Sequence, residues 1–254
     1  MYKILANTIF LGKQVLFLPE CHSTNDRALE MIRSGHAGDG TIVICGHQSA
    51  GKGQRGNTWE AEPGMNLTFS LVLKTGFLDV SEQFYLNMMV SNSIRKVLQD
   101  YLPDLQVKWP NDLVVPGKGK IGGILIENIL SSSSWEYAVV GIGLNINQRR
   151  FGTSKATSLA LITGGSYGLE ELFKLLVSEI EQGVIALKKG KLQMVRESYL
   201  GHLYLRGKWA VFRAGENELE GKILGVTAEG MLQMELRGGV VRTFGLKEIS
   251  FPEI

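Results

Sequence analysis

Hydrophobic and polar positions alternate from Asn66 to Leu73, with Leu67, Phe69, Leu71 and Leu73 on one face and Asn66, Thr68 and Ser70 on the other. A period of two over this length predicts a strand with one face buried. From about Ser81 to Tyr101 the period lengthens. Phe84, Met88, Val90, Ile94, Val97, Leu98 and Tyr101 form one stripe, which predicts a long helix closed by the turn signal Pro103-Asp104. Upstream, Gln14 to Leu18 reads as a strand. Ser23-Thr24-Asn25-Asp26 then offers a hydroxyl N-cap with an acid three positions on, ahead of Ala28, Leu29 and Ile32 at helical spacing, and Gly35 ends that helix. Thr41 to Cys45 is a β-branched run that predicts a buried strand, followed by a glycine-rich loop from Gly46 to Gly64.

After the long helix the pattern turns to strands at Leu105 to Trp109, Leu113 to Val115, Ile121 to Leu130 and Trp135 to Ile146, joined by short turns such as Pro116-Gly117-Lys118-Gly119. This is the signature of an antiparallel meander. Helical patterns follow at about Leu169 to Lys188 and Leu192 to Leu203. From Arg206 short strands return at Trp209 to Arg213, Leu219 to Val226, Met231 to Leu236 and Val240 to Phe244, enough for a small barrel. The order of elements predicts an α+β fold in two domains, 1–204 and an all-β 205–254.

Composition adds one anomaly and several exclusions. The chain has 31 glycines in 254 residues, where average usage gives roughly 18. They gather between Gly35 and Gly64, Gly117 and Gly143, and Gly201 and Gly245. The last group reads as turn chemistry in the small barrel. With 44% hydrophobic and 20% charged residues the chain is not disordered. A net charge of +2, with scattered basic residues, argues against duplex DNA and anionic membranes as partners. The apolar run Ala138 to Ile146 is too short to span a bilayer. Met1 to Pro19 carries Lys3, Asn7, Lys13 and Gln14 and lacks a small-residue cleavage site, so it reads as structure in a cytoplasmic protein. Cys21 and Cys45 read as free thiols in a reducing compartment.

The candidate chemistry starts in the first glycine group. Gly46-His47-Gln48-Ser49-Ala50-Gly51-Lys52-Gly53 fits a P-loop through its lysine, but Gly53 stands where the Mg²⁺-holding hydroxyl belongs, and Gly53-Gln54-Arg55-Gly56 is a poor helix start. Gly51 to Gly56 also satisfies G-x-G-x-x-G, yet it leads past Pro63 into a strand instead of a crossover helix. What survives is anion chemistry: mobile backbone amides with Lys52 and Arg55. A loop of this length inside a compact domain is uncommon unless it is functional. Lys108-Trp109-Pro110-Asn111-Asp112 ends a predicted strand and Lys120 precedes the next, so Asn111, Asp112 and Lys120 are expected at one end of the sheet. Taken singly, each also fits a turn or a core position. In Val140 to Asn147 two glycines allow a close approach of ligand or backbone.

Taken together, Ser23-Thr24-Asn25, Gln48 to Gly56 with Trp59, Lys108 to Asp112, Lys120 to Gly123 and Gly141 to Asn145 resemble the catalytic domain of the biotin protein ligases, in the same order. The C-terminal segment, with Glu220 to Val226 and Gly245 to Phe251, resembles that family's SH3-like domain. The resemblance implies a central mixed, largely antiparallel sheet flanked by helices, of class II synthetase-like type, with a small C-terminal SH3-like β-barrel. It also implies a monofunctional member, since the residues before Cys21 are too few for a helix-turn-helix domain.

It further implies two half-reactions: biotin and ATP give biotinyl-AMP and pyrophosphate, and a lysine of a biotin carboxyl carrier domain then takes the biotinyl group. Lys120 matches the catalytic lysine, with Asp112 and Arg55 beside it. Biotin is expected to meet Ser23, Thr24, Asn25, Gln48, Lys52, Gly53, Gln54, Lys120, Gly122 and Gly123. ATP is expected to meet Lys52, Arg55, Trp59, Asn111, Lys120 and Asn145, with Mg²⁺ carried mainly on its phosphates and a homodimer as a possible assembly. The pattern departs at Lys52 and Gln54, where many relatives have arginine, and a looser grip on the adenylate is the expected consequence. The competing readings are a lipoate ligase or acyl transferase of related fold and a non-catalytic biotin sensor.

Overall fold

A computed structural model describes residues 7–130 and 135–252, apart from the side chain of Arg55. A seven-stranded sheet forms its centre, in the order β1-β2-β3-β7-β6-β5-β4. These strands are β1 (Val15–Cys21), β2 (Ile42–Gln48), β3 (Leu67–Lys74), β4 (Gln106–Lys108), β5 (Asp112–Val115), β6 (Gly119–Leu130) and β7 (Trp135–Leu144). Only β1 and β2 run parallel, because a helix, α1 (Thr24–Arg33), carries the chain between them.

One sheet face packs on α2 (Phe84–Leu98), α4 (Leu169–Lys188) and α5 (Leu192–Gly201), through the apolar face of β3 and edge contacts such as Phe69 on Phe173. A short α3 (Leu159–Thr163), absent from the periodicity reading, is N-capped by the Ser158 hydroxyl. The opposite face is half covered by α1, whose Ala28 and Met31 pack on Val43, Val72 and Val139. The other half of that face forms the floor of a cavity. The polar face of β3 is therefore buried too, contrary to the one-sided strand predicted from its alternation: Thr68 lines the cavity, and Ser70 is buried against Thr24 and Asn25.

The expected Ser81–Tyr101 helix is shorter than its stripe. A single 3-10 turn, Val80–Glu82, held by reciprocal Asp79 and Glu82 capping, precedes α2. The buried Glu181 of α4, 1% exposed, accepts the backbone N–H groups of Ile9, Phe10 and Leu11 and so ties the start of the described chain to the core.

The C-terminal strands β8 (Trp209–Ala214), β9 (Asn217–Val226), β10 (Leu232–Leu236) and β11 (Val241–Phe244) form a second, antiparallel sheet in the order β11-β10-β9-β8. Reciprocal backbone bonds between Arg213 and Ser250 bring the segment after β11 back to β8 and curl this sheet towards closure. The second sheet is docked on the first. Trp109 Nε1 donates to the Gly230 carbonyl at 2.9 Å, and Phe251 lies between the Trp109 and Phe212 rings. Gly230 has φ +91, and a Cβ there would meet the Phe84 ring. The third glycine group is thus more than turn chemistry, since one of its members makes the interface between the sheets possible. No helix among the described residues is long and apolar enough to cross a membrane.

Candidate functional site

A cavity of about 340 Å³ lies over the uncovered half of the sheet, roofed by the Lys52–Trp59 segment and closed at one side by Leu246, Ile249, Ser250 and Phe251 of the C-terminal segment. Of the predicted site residues, Ser23, Thr24, Asn25, Gln48, Lys52, Gly53, Gln54, Trp59, Asn111, Asp112, Lys120 and Gly123 line it. The side chain of Arg55 falls outside the described residues. The C-terminal wall was not foreseen, because nothing local in Leu246 to Phe251 marks a site.

At the β1–β2 end the site is a network of neutral groups. β2 runs on to Gln48, three residues past the predicted strand end, so Gln48 stands on rigid backbone paired with Cys21. Its Oε1 accepts the Thr24 N–H at 2.7 Å, which leaves its amide nitrogen as a donor beside Gly51. The Ser70 hydroxyl lies 2.7 Å from Thr24 Oγ1 and 2.6 Å from Asn25 Oδ1. An amide oxygen only accepts, so the Ser70 hydrogen goes to Asn25 and the Thr24 hydrogen goes to Ser70. Thr24 then keeps its lone pairs for the cavity. Asn25 Nδ2 donates to Glu127 Oε2 at 2.7 Å and to the Leu125 carbonyl at 3.3 Å. Both ends of the Asn25 amide are spent internally, so this residue, expected to meet a ligand, lines the cavity with its hydrogen bonds already made. Gly141 is required here because a Cβ would collide with the Asn25 amide.

The roof is less irregular than a structureless loop. Lys52 and Thr58 form a β-bridge around a 3-10 turn, Gln54–Gly56, so the Gly53-Gln54-Arg55-Gly56 stretch does start one helical turn, though no more than that. Lys52 Nζ pairs with Asp26 Oδ1 at 2.5 Å, and this partner raises its pKa. Trp59 packs against Gly143, where any Cβ would strike the indole. Trp59 Nε1 is buried without a hydrogen-bond partner among the described residues.

The opposite end is charged. β5 pairs with β6 as Asp112↔Gly123 and Leu113↔Gly122, and the register then slips to Val114↔Lys120. An unbroken ladder would set Ile121 opposite Val114 and turn Lys120 to the other face. The bulge brings Lys120 to the Asp112 face, where Nζ lies 2.6 Å from Asp112 Oδ1 and 5.7 Å from the Trp59 ring centre. Thr157 N–H donates to the Lys120 carbonyl, and Lys120 N–H donates to Lys155, which pins the bulge. Lys108 stands opposite Asp112 on β4, and burial lowers its pKa, an effect that the Lys120 and Lys155 charges reinforce and Asp112 opposes.

Two predicted residues, Gly122 and Asn145, do not line the cavity, and Asn111 lines it with its amide nitrogen already engaged. The bare Cα of Gly122 accommodates the Leu144 side chain and the Gly143 carbonyl across the ladder. Asn111 donates from Nδ2 to the Ile124 carbonyl and so holds β5 to β6. Asn145 lies beneath the lining, 3% exposed; Nδ2 donates to Thr157 at 3.0 Å, while Oδ1 has no partner among the described residues. An orphaned indole donor and an orphaned amide acceptor each cost about 1–3 kcal/mol unless a ligand completes them.

Among the described residues no cluster of three or more His, Cys, Asp or Glu is placed to hold a metal ion. Among the described residues Asp112 is the one carboxylate on the cavity wall, and Lys120 already holds it. This donor set does not fit an ion held by the protein alone.

Residues 18–145 match the model of the biotin/lipoate A/B protein ligase family. The chain is 25% identical to the biotin–[acetyl-CoA-carboxylase] ligase of Mycobacterium tuberculosis, over 90% of this chain and 86% of that one. It is 27% identical to the bifunctional ligase/repressor BirA of Escherichia coli, over 94% of this chain and 74% of that protein. The fold is similar to that of the Aquifex aeolicus biotin protein ligase in complex with biotin and ATP, with a TM-score of 0.78, 24% identity, and 95% of this chain and 100% of that one covered.

Proposed function

Because the chain belongs to the biotin/lipoate A/B protein ligase family, we propose that it is an ATP-dependent biotin protein ligase that makes biotinyl-AMP and passes the biotinyl group to a lysine of a biotin carboxyl carrier domain. The observation that carries this reading is the division of one cavity into a neutral hydrogen-bonding end and a cationic end about Lys120. Biotin has the matching halves, a ureido group and a carboxylate.

Gln48 Nε2 donates to the ureido oxygen, and Thr24, with Ser23 beside it, accepts a ureido N–H. Ile124 and Ile142 flank the apolar ring and chain. The backbone at Lys52 to Gln54 meets the carboxylate end. Lys120 is the catalytic residue: its ammonium neutralises charge as the carboxylate oxygen bonds to the α-phosphorus and pyrophosphate leaves. Asp112 orients that ammonium. Trp59 covers the adenine. Mg²⁺ carried on the ATP phosphates would offset the triphosphate charge without a ligand from this chain. The bridged roof keeps water from the mixed anhydride. Residues 1–204 then make up the catalytic domain, 205–254 an appended domain that completes its wall, and the reaction belongs to the cytoplasm.

Lipoate fits this site less well. Its dithiolane ring has no group to pair with Thr24 and Gln48, and buried polar groups left unpaired penalise an analogue that lacks the matching atoms. The test is to incubate the protein with ATP, a carrier domain and either acid. Mass spectrometry should find a single lysine biotinylated; modification by lipoate but not biotin would overturn the assignment.

A further inference from the structure

The polar face of β3 carries Asn66, Thr68 and Ser70, and the protein answers the first and the last of them. Asn66 Nδ2 donates to Gln148 Oε1 at 2.6 Å, and its Oδ1 accepts the Ile146 N–H at 2.9 Å. Ser70 is held between Thr24 and Asn25. Thr68 lines the cavity with only 8% of its surface exposed, and its hydroxyl makes no hydrogen bond among the described residues. Its ladder neighbours offer it little: Gly143 has no side chain, and the Cys45 thiol donates to the His47 carbonyl at 2.8 Å. A valine would fill the same space and suit a strand as well. A buried hydroxyl without a partner costs stability until a ligand pairs with it.

The surroundings say which part of a ligand that is. On the β7 side the space over Gly143 is taken by the Trp59 indole. On the same face of β3, two residues on, Ser70 holds Thr24, and Gln48 stands three positions beyond Cys45 on β2. Lys120 and Asp112 lie two and three strands away, on β6 and β5. Thr68 therefore belongs to the neutral end. A cyclic urea presents one carbonyl and two N–H groups there. In the ligase reading Gln48 takes the carbonyl and Thr24 takes one N–H, so the other N–H has no partner. A hydroxyl oxygen has the lone pairs to accept it. We propose, on the basis of that reading, that Thr68 accepts the second ureido N–H of biotin and so determines specificity for a ring with two such donors. An acid whose ring lacks the second donor leaves this hydroxyl unpaired and is disfavoured.

The test measures biotin binding to the full chain by calorimetry without ATP, and KM for ATP in biotin-dependent pyrophosphate exchange. Thr68→Val keeps the shape and removes the hydroxyl. It should weaken biotin about three- to thirty-fold and leave KM for ATP unchanged. Thr68→Ser should recover most of the loss. Two cyclic carbamate analogues of biotin, each with one ureido N–H replaced by oxygen, identify the contact. One of them should bind Thr68→Val as well as it binds the wild type, whereas the other should show the full penalty. Desthiobiotin, which keeps the urea and lacks the sulfur, should lose as much as biotin does. Unchanged biotin affinity in a Thr68→Val protein of normal melting temperature would overturn the proposal. So would a penalty that persists with both carbamates, or one that vanishes with desthiobiotin and so places the hydroxyl on the sulfur. If Thr68→Val does not fold, Thr68→Ala carries the same expectations. A wild type that neither binds biotin nor exchanges pyrophosphate with it would remove the ligase reading and this inference with it. An active wild type with an indifferent Thr68→Val refutes the inference alone.

Discussion

The two ends of the cavity are built on opposite plans. At the β1–β2 end Thr24, Asn25, Ser70 and Gln48 satisfy one another, so the geometry that meets a neutral ligand exists before the ligand arrives. At the β5–β4 end Lys108 and Lys120 share Asp112, the one carboxylate lining the cavity among the described residues, and only Lys120 forms an ion pair with it there. Neutral donors and acceptors can brace each other and still keep a lone pair or an N–H to offer. Two ammonium groups that share one carboxylate keep net charge and free N–H donors for a phosphate. Pre-organisation therefore favours a closed hydrogen-bond network at one end and an incomplete charge balance at the other.

The largest break in this contrast is expected at Lys120. Lys120→Ala should lower the adenylation rate by about two to three orders of magnitude, as loss of a group that acts on transition-state charge does, while biotin still binds in calorimetry. Next comes the neutral end. Gly141→Ala drives a methyl into the Asn25 amide and should weaken biotin about ten-fold or more through Thr24 and Ser70, with KM for ATP little changed. Equal losses for both substrates would show that the two ends are not separable. Glu181→Gln tests the fold away from both ends: weakening of three backbone hydrogen bonds to a carboxylate should cost about 1–3 kcal/mol, seen as a lower melting temperature with both KM values intact. The smallest effect is expected at the roof, where Gln54→Arg should slow release of biotinyl-AMP about two- to five-fold by adding a charged donor. An unchanged release rate would show that Gln54 does not limit adenylate retention.

Much of this was legible in the sequence because it is local. The alternation of Leu67 to Leu73 marks β3, the N-cap at Ser23 marks α1, and the ligase-like motifs pick out Thr24, Gln48, Asp112 and Lys120. What was not legible depends on partners far away in the chain. Residue type cannot reveal that Asn25 is consumed by Ser70 and Glu127, about 45 and 102 positions away. Nor does a hydrophobic pattern encode the one-residue bulge that turns Lys120 towards Asp112, since an unbulged β6 would read the same. The placement of Phe251 against Trp109 and Lys108 arises from docking of the second sheet and has no local signal at either site.

One cavity is proposed to activate biotin with Lys120 as its catalytic cation. Exchange of labelled pyrophosphate into ATP, with biotin or lipoate as the acid, tests it most directly. Exchange should require biotin, should not be supported by lipoate, and should fall close to background in Lys120→Ala. Exchange supported by lipoate and not by biotin, or exchange undiminished in Lys120→Ala, would contradict it.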